Sequence, residues 1–149
     1  MRVLLQRVSA GKVTVDGRVT GEIAAGFVAL VGVTHSDSAA DAEKLAQKTA
    51  NLRVFSDAAG KMNLSLLDIG GGALVVSQFT LYADARKGRR PSYINAAQPE
   101  LAEPLVQVLA DCLSQAGVKQ VEQGVFGAMM QVQIHNDGPV TIMLDSDQL

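Results

Sequence analysis

The sequence lacks most of the side chains from which metal centres and disulfide-stabilised folds are built. Its 149 residues include one cysteine, two histidines and no tryptophan, and only 4% are aromatic. A lone thiol, Cys112, excludes an internal disulfide and a zinc site made from several cysteines. His35 and His135 cannot form a histidine-rich metal centre by themselves. We therefore expect no metal and no cofactor, and a core made of aliphatic side chains and methionine.

Long apolar runs are also absent. No segment approaches the roughly 18 consecutive apolar residues of a membrane-spanning helix, and the apolar stretch after Met1 is too short for a signal peptide. We expect a soluble, cytoplasmic protein with no membrane partner. The chain is 48% hydrophobic and 19% charged, a composition that excludes intrinsic disorder. Its length predicts a single domain over residues 1–149, which buries roughly 70% of its unfolded surface.

Strand and turn signals dominate the first half of the chain. Asp16-Gly17 lies between two alternating runs, the pattern of a tight β-hairpin in which glycine accepts a positive φ. Residues 26–33 and 73–81 are almost continuously apolar and predict strands buried on both faces. Residues 52–55 predict a further short strand, followed by a loop over residues 56–63.

Two amphipathic segments predict helices. The first covers residues 39–51 and follows the N-capping side chains of residues 36–38. The second covers residues 99–116, although Pro104 favours a start nearer Glu103, because proline fits the first turn of a helix.

The C-terminal segment returns to strands. Residues 129–136 and 140–144 are separated by Asn136-Asp137-Gly138-Pro139, which predicts a hairpin turn between them. Together these elements predict an α+β fold in a single domain, with two main helices on a largely antiparallel sheet or partly closed barrel.

Charge is distributed unevenly along the chain. The net charge is −2, yet Arg86-Lys87-Gly88-Arg89-Arg90 places four basic residues within five positions. The rest of the chain then has nine basic against fifteen acidic residues, a net charge of −6. Such a loop on an acidic domain is either a solvated surface loop or a local phosphate contact. The overall charge excludes a protein whose whole surface binds nucleic acid.

The sequence offers few candidates for catalysis. Cys112 lies among the leucines of the second predicted helix and is expected to be a core residue. Neither histidine belongs to a recognisable catalytic motif. Ser77-Gln78-Phe79-Thr80 stands out because an apolar strand ends there in hydroxyl and amide side chains. These groups either satisfy local backbone atoms or form a substrate cradle.

Blocks of sequence over almost the whole chain resemble the D-aminoacyl-tRNA deacylase family in order and separation. The blocks are residues 6–8, 19–23, 55–57, 60–63, 75–81, 90–92 and 136–141. The resemblance implies a homodimeric, cytoplasmic hydrolase that cleaves the ester between a D-amino acid and the 3′ end of tRNA. Such an enzyme proofreads chirality in translation and binds aminoacyl-tRNA.

The same resemblance implies roles for individual residues. Ser77, Gln78, Phe79 and Thr80 are expected to line the catalytic site, which receives the aminoacylated terminal adenosine. Gly138 and Pro139 match a cis Gly-Pro motif that enters the site of the other subunit and screens chirality, and Arg7 matches a residue that holds this motif. We add Arg86, Lys87, Arg89 and Arg90 as candidate tRNA contacts.

The residues permit a hydrolytic mechanism without an activated side chain. Thr80 is the hydroxyl that would serve as nucleophile, but the neighbouring sequence supplies no general base for it. We therefore expect water to attack, assisted by the ribose 2′-hydroxyl, with N–H donors near Gln78 and Phe79 stabilising the oxyanion. A rigid backbone wall that clashes with every L side chain would select chirality. Glycine has no side chain to clash, so mischarged glycyl-tRNA is expected to be cleaved too.

Two other classes of function remain open at this point. The chain would also suit a non-catalytic RNA-binding module that uses the basic loop, or a protein that senses an amino acid or a nucleotide. Because a site shared between subunits requires a dimer, we predict an interface formed by the strands near Val28 and Val75 and the turn at Gly138.

Overall fold

One long strand organises the sheet. The computed structural model describes residues 1–149, and its first strand, β1 (Arg2–Val15), pairs antiparallel with β2 (Arg18–Ile23), β3 (Gly26–Gly32) and β8 (Gln131–Asp145). The turn between β1 and β2 has positive φ at Asp16 (48°) and Gly17 (76°), which confirms the predicted hairpin.

Parallel strands extend the sheet on the far side of β3. β6 (Gly72–Ser77) pairs parallel with β3, and β7 (Gln120–Gln123) pairs parallel with β6. β7 then comes back against β2, where the Gln120 Nε2 group donates to the Glu22 carbonyl at 3.0 Å. This approach nearly closes the sheet and confirms the predicted α+β fold with a partly closed barrel. β7 itself and the parallel pairing were not predicted.

The two helices occupy nearly the predicted ranges. α1 spans Ala39–Asn51, and the backbone N–H of its N-cap residue Ser38 donates to Asp41 Oδ2 at 2.9 Å, which satisfies a donor at the helix start. α2 spans Pro99–Gln115. It begins at Pro99 rather than near Glu103, because Pro99 itself fills the first helical position and Pro104 is accommodated inside the helix. No helix is long and apolar enough to cross a membrane.

Two groups of buried side chains form the interior. The larger joins β1, β3 and β6 to both helices and includes Leu5, Phe27, Leu45 and Leu109. The smaller consists of six side chains from β1, β2, β3 and β6, namely Val8, Val13, Ile23, Val28, Leu74 and Val76. Val28 and Val75 are both fully buried within the subunit. The prediction that these strands form a dimer interface is therefore wrong, because a buried apolar strand and an interface strand have the same sequence pattern.

Two predicted loop and strand assignments also change. Residues 56–63 are not simply a loop, because β4 (Phe55–Ser56) and β5 (Met62–Leu64) form a small antiparallel hairpin. The strand predicted over residues 73–81 ends at Ser77, and Phe79–Tyr82 form one turn of 3-10 helix.

The segment Asn136-Asp137-Gly138-Pro139 is not a hairpin turn, because residues 137–140 form a bulge within one strand. The residues before it and after it both belong to β8 and both run antiparallel to β1. Asn136 pairs with Val8 and Thr141 pairs with Gln6, so four residues of β8 bulge out opposite Arg7. The chain does not reverse here, since β1 is long enough to pair with both halves of β8.

Candidate active site

The carboxyl end of β6 leads directly into a sharp change of backbone direction. Gln78 follows the last strand residue, Ser77, and its N–H donates to the Val31 carbonyl of β3 at 2.7 Å. The 3-10 turn that starts at Phe79 leaves its first N–H groups without acceptors inside the turn. Backbone donors and polar side chains therefore meet at one end of an otherwise apolar strand.

Thr80 lies in this turn without a base beside it. The Gln78 Nε2 group donates to Thr80 Oγ1 at 2.5 Å, and the Thr80 side chain is exposed. His35 points elsewhere, with Nε2 2.7 Å from the Ile94 carbonyl, and His135 lies on β8 opposite Ala10. No titratable side chain forms a hydrogen bond with Thr80, so the structure shows no general base at its hydroxyl.

A cleft of about 600 Å³ opens at this end of β6, and 14 of its 19 lining residues are hydrophobic. Ser77, Gln78 and Phe79 form one wall. The first turns of α2 and residues 126–130 form the others. Phe79 is 55% exposed at the mouth, and its ring meets the ring of Tyr93 edge to face at 5.0 Å between centroids. A largely apolar cleft with a few polar groups at one end suits a flat, partly polar ligand.

The Gly138-Pro139 segment projects from the sheet at another place. Its peptide bond is cis, as the resemblance implies, and both residues are exposed. Neither residue lines the cleft described above. Asn136 braces the bulge from within, because its Oδ1 accepts from the Val140 N–H at 2.9 Å.

Arg7 joins this bulge to the body of the protein. The residue is only 8% exposed. Its Nε donates to the Asp137 carbonyl at 3.0 Å and its Nη1 to the Val54 carbonyl at 2.6 Å. A Cβ on Gly138 would stand 3.0 Å from Arg7 Nη2, so the guanidinium lies directly against the glycine. A planar group with several fixed donors is suited to holding two carbonyls in one geometry.

The basic loop forms a third feature. It is closed at its base by two hydrogen bonds of 2.8 Å between the backbones of Asp84 and Ser92. Arg86 is already engaged, because its Nε and Nη2 donate to the two carboxylate oxygens of Asp84 at 2.9 and 2.7 Å. These hydrogen bonds lower the pKa of Asp84 to about 2. The remaining basic residues of the loop are exposed.

The structure thus divides the predicted site residues into three places. Ser77, Gln78 and Phe79 line the cleft and Thr80 stands beside it, whereas Arg7 lies with the bulge and residues 86–90 with the loop. Sequence reasoning missed several lining residues, namely Tyr93, Pro99, Ala102, Val106, Phe126, Met129 and Met130. Only Tyr93 had a local signal, since it directly follows the block at residues 90–92. Cys112 belongs to none of these places, and burial raises the pKa of its thiol.

Comparison with known proteins adds an independent observation. A family model described as D-Tyr-tRNA(Tyr) deacylase matches residues 4–145. The chain is 64% identical over 149 residues to the D-aminoacyl-tRNA deacylase of Thermomicrobium roseum, covering all of this chain and 96% of the relative. It is 59% identical to the same-named protein of Chloroflexus aurantiacus, again over 149 residues, with 92% of that relative covered.

Two solved structures share the architecture. A protein described as c-Myc DNA unwinding element binding protein superposes with a TM-score of 0.91 at 38% identity, over 97% of this chain and 98% of that one. A probable eukaryotic D-amino acid tRNA deacylase superposes with a TM-score of 0.84 at 16% identity, over 96% and 97% of the two chains. At that identity the second likeness concerns the fold alone.

Proposed function

This chain belongs to the D-Tyr-tRNA(Tyr) deacylase family, and we propose on that premise that it hydrolyses the ester of D-aminoacyl-tRNA. The observation that carries the proposal is the cleft at the end of β6, where an apolar wall meets the polar group of Ser77, Gln78 and Thr80. An aminoacylated adenosine has the same division, with a flat base at one end and an ester at the other. We place the activity in the cytoplasm, where aminoacyl-tRNA is used.

The chemistry needs only water and the substrate's own groups. Water attacks the ester carbonyl carbon, the carbonyl oxygen becomes an oxyanion, and the bond to the ribose 3′-oxygen breaks. That oxygen takes up a proton, so the products are a free D-amino acid and tRNA with its terminal ribose diol restored. In this proposal the N–H groups of Phe79 and Thr80, which have no acceptor inside the 3-10 turn, stabilise the oxyanion. The Gln78 N–H, near which a donor was expected, already donates to the Val31 carbonyl.

Gln78 and Thr80 have a positioning role in this proposal. Their 2.5 Å hydrogen bond fixes both side chains beside the N–H donors of the turn. The neighbouring 2′-hydroxyl of the substrate then orients the attacking water, since no general base forms a hydrogen bond with Thr80. Orientation of this kind can supply much of the barrier reduction that an activated nucleophile would otherwise provide.

Chirality is screened, in our proposal, by Gly138 and Pro139 of a second subunit. Three observations support this assignment: the two residues are exposed, they do not line their own subunit's cleft, and Arg7 holds them in place. A fixed stretch of backbone can exclude every L side chain by steric clash while tolerating different D side chains. The same exclusion leaves glycyl-tRNA as a substrate, because glycine has nothing to clash.

A site of this kind requires a homodimer. β8 pairs with β1 alone, so one edge of this 15-residue strand is free. Met143 on β8 is exposed. Met129 precedes the start of β8, lines the cleft and is 93% exposed. A free strand edge can pair with another chain, and exposed apolar side chains that lie together mark interaction surfaces. We therefore propose that the β8 face and the cleft mouth meet the same face of a second copy.

Mixing subunits tests the shared site. Gly138→Ala would damage the screening segment, and Phe79→Ala would damage the cleft. Each variant alone should hydrolyse D-tyrosyl-tRNA poorly: Phe79→Ala removes part of the cleft wall, and the Cβ of Gly138→Ala, at a φ of 129°, distorts the segment so that it obstructs the partner's cleft. After random subunit exchange, half of the dimers are mixed and each of these contains one intact site, so about a quarter of wild-type activity should return. A mixture no more active than the sum of its parents, with exchange verified by mass spectrometry, would show that the site is not shared.

The two alternative functions make a different prediction. A non-catalytic RNA-binding module, or a sensor of an amino acid or nucleotide, would bind aminoacyl-tRNA or its parts without releasing the amino acid. Neither alternative explains why a separate, exposed Gly138-Pro139 segment should be braced by a buried arginine.

A further inference from the structure

The four basic residues of the 86–90 loop are not equivalent. Arg86 forms two side-chain hydrogen bonds to Asp84, and the Arg86 N–H also donates to Asp84 Oδ1 at 3.0 Å. Its charge is therefore balanced within the loop. Lys87, Arg89 and Arg90 form no ion pair and no hydrogen bond through their side chains. Three unneutralised positive charges thus lie within four consecutive positions.

The base of this loop is anchored to the rim of the cleft. The paired backbones of Asp84 and Ser92 close it, and the next residue, Tyr93, lines the cleft mouth. The following residues are held to the body, because Thr34 Oγ1 donates to the Asn95 carbonyl at 2.6 Å. The loop therefore has a fixed base that is joined to the cleft wall through Tyr93, and its free charges lie on the segment that leads into that wall.

We propose that Lys87, Arg89 and Arg90 bind backbone phosphates of the tRNA acceptor end, and that Arg86 is a positioning residue that braces the loop. This inference rests on the proposed function, since it concerns the part of the same substrate that leaves the cleft. A terminal adenosine seated in the cleft must continue into a phosphate backbone at the entrance. The remainder of the protein has a net charge of −6 and would repel that backbone, so attraction has to be local.

The three free charges predict how hydrolysis of the tRNA substrate depends on salt concentration. Phosphate binding by cations releases counterions, so each contact adds about −0.7 to −0.9 to the slope of log affinity against log salt. Three contacts contribute a slope of about −2 to −3. Between about 50 and 200 mM salt this corresponds to a loss of roughly 15- to 40-fold in kcat/KM for tRNA. A substrate without phosphates should show none of this dependence.

The experiment compares two substrates across a salt series. D-tyrosyl-tRNA has the phosphate backbone and D-tyrosyl-adenosine has none, and both carry the same ester. In a Lys87→Ala/Arg89→Ala/Arg90→Ala variant, the ratio of kcat/KM for tRNA to that for the adenosine ester should fall at about 50 mM salt, and the roughly 15- to 40-fold decline of this ratio between about 50 and 200 mM salt should be lost. The salt slope for tRNA should become less steep by about 2 to 3. Lys119→Ala is the matched control, because Lys119 is exposed just before β7, at the opposite end of the sheet from Ser77.

The role of Arg86 is tested by a separate variant and by the KM for tRNA. Arg86→Lys cannot reproduce the two-point contact with Asp84, and it should raise KM for tRNA while leaving kcat and the salt slope close to wild type. A triple variant whose substrate ratio and salt slope match those of wild type would overturn the assignment of the three residues. A wild-type protein that hydrolyses neither substrate would instead refute the proposed function, so the two failures are distinct.

Discussion

Replacing Arg7 by lysine should weaken the fold and release the Gly138-Pro139 segment together. Arg7 donates from Nη1 to the Val54 carbonyl and from Nε to the Asp137 carbonyl, at 2.6 and 3.0 Å. A lysine ammonium carries its donors at a single point and cannot reach both carbonyls in this geometry. Val54 is buried, so its carbonyl has little access to replacement water, whereas Asp137 is exposed.

The expected cost follows from that difference in exposure. A buried carbonyl that loses a charged donor costs roughly 1–3 kcal/mol of folding free energy, while an exposed one costs little because water replaces the donor. We therefore expect Arg7→Lys to lower the free energy of unfolding by about 2 kcal/mol, or Tm by roughly 4–8 °C for a domain of this size. The ratio of kcat/KM for D-tyrosyl-tRNA to that for L-tyrosyl-tRNA should fall at least tenfold, because the proposed screening segment is no longer held against L side chains.

The assay is urea denaturation at one fixed protein concentration, since the stability of the proposed dimer would depend on concentration, with deacylation measured in parallel. Arg53→Lys is the matched control: Arg53 also donates to a backbone carbonyl, that of Asn63 at 2.7 Å, but in an exposed hairpin. It should change stability by less than about 0.5 kcal/mol. If Arg7→Lys behaves like Arg53→Lys in both stability and the D-to-L ratio, Arg7 does not hold the segment.

Three further predictions concern the barrel, the turn and the loop. Gly21→Ala should destabilise the protein by about 1–3 kcal/mol in urea denaturation, because the added Cβ would stand 2.8 Å from the Gln123 carbonyl where β7 meets β2; unchanged stability would mean that this contact is loose. Thr80→Ala should keep substantial activity in single-turnover assays, and a loss of about 10⁴-fold with unchanged binding would assign its hydroxyl a covalent or acid–base role. Arg86 holds the pKa of Asp84 at about 2, so the pair persists above that pH and is lost only as pH falls through it. The KM for tRNA, which loss of this pair is expected to raise, should therefore be the same at about pH 5 and pH 8, and a difference would contradict the brace.

Local signals were sufficient for some elements of the fold. Asp16-Gly17 specifies a tight turn by its backbone preference, and the capping side chains before Ala39 specify a helix start, so both were predicted correctly. In contrast, residues 136–139 have the composition of a turn, yet residues 137–140 form a bulge. A turn and a bulge are distinguished here only by the length of β1, which pairs with both halves of β8. This pairing is a long-range property that the local sequence does not reveal.

The candidate site was likewise predicted only where its signal is local in the sequence. The polar end of β6 is visible in the sequence because Ser77 and Gln78 interrupt an apolar run. The cleft wall is not, since Val106 on α2 and Phe126 reach it from distant parts of the chain. The failed interface prediction at Val28 has the same origin, because hydrophobicity predicts burial but not whether a strand is buried within its subunit or between two.

The most direct test of the account is the release of free tyrosine from D-tyrosyl-tRNA and L-tyrosyl-tRNA by the purified protein. We predict rapid release from the D-ester and none above the spontaneous rate from the L-ester. Binding of D-tyrosyl-tRNA without release would contradict the hydrolase, and equal release from both esters would contradict screening by Gly138 and Pro139.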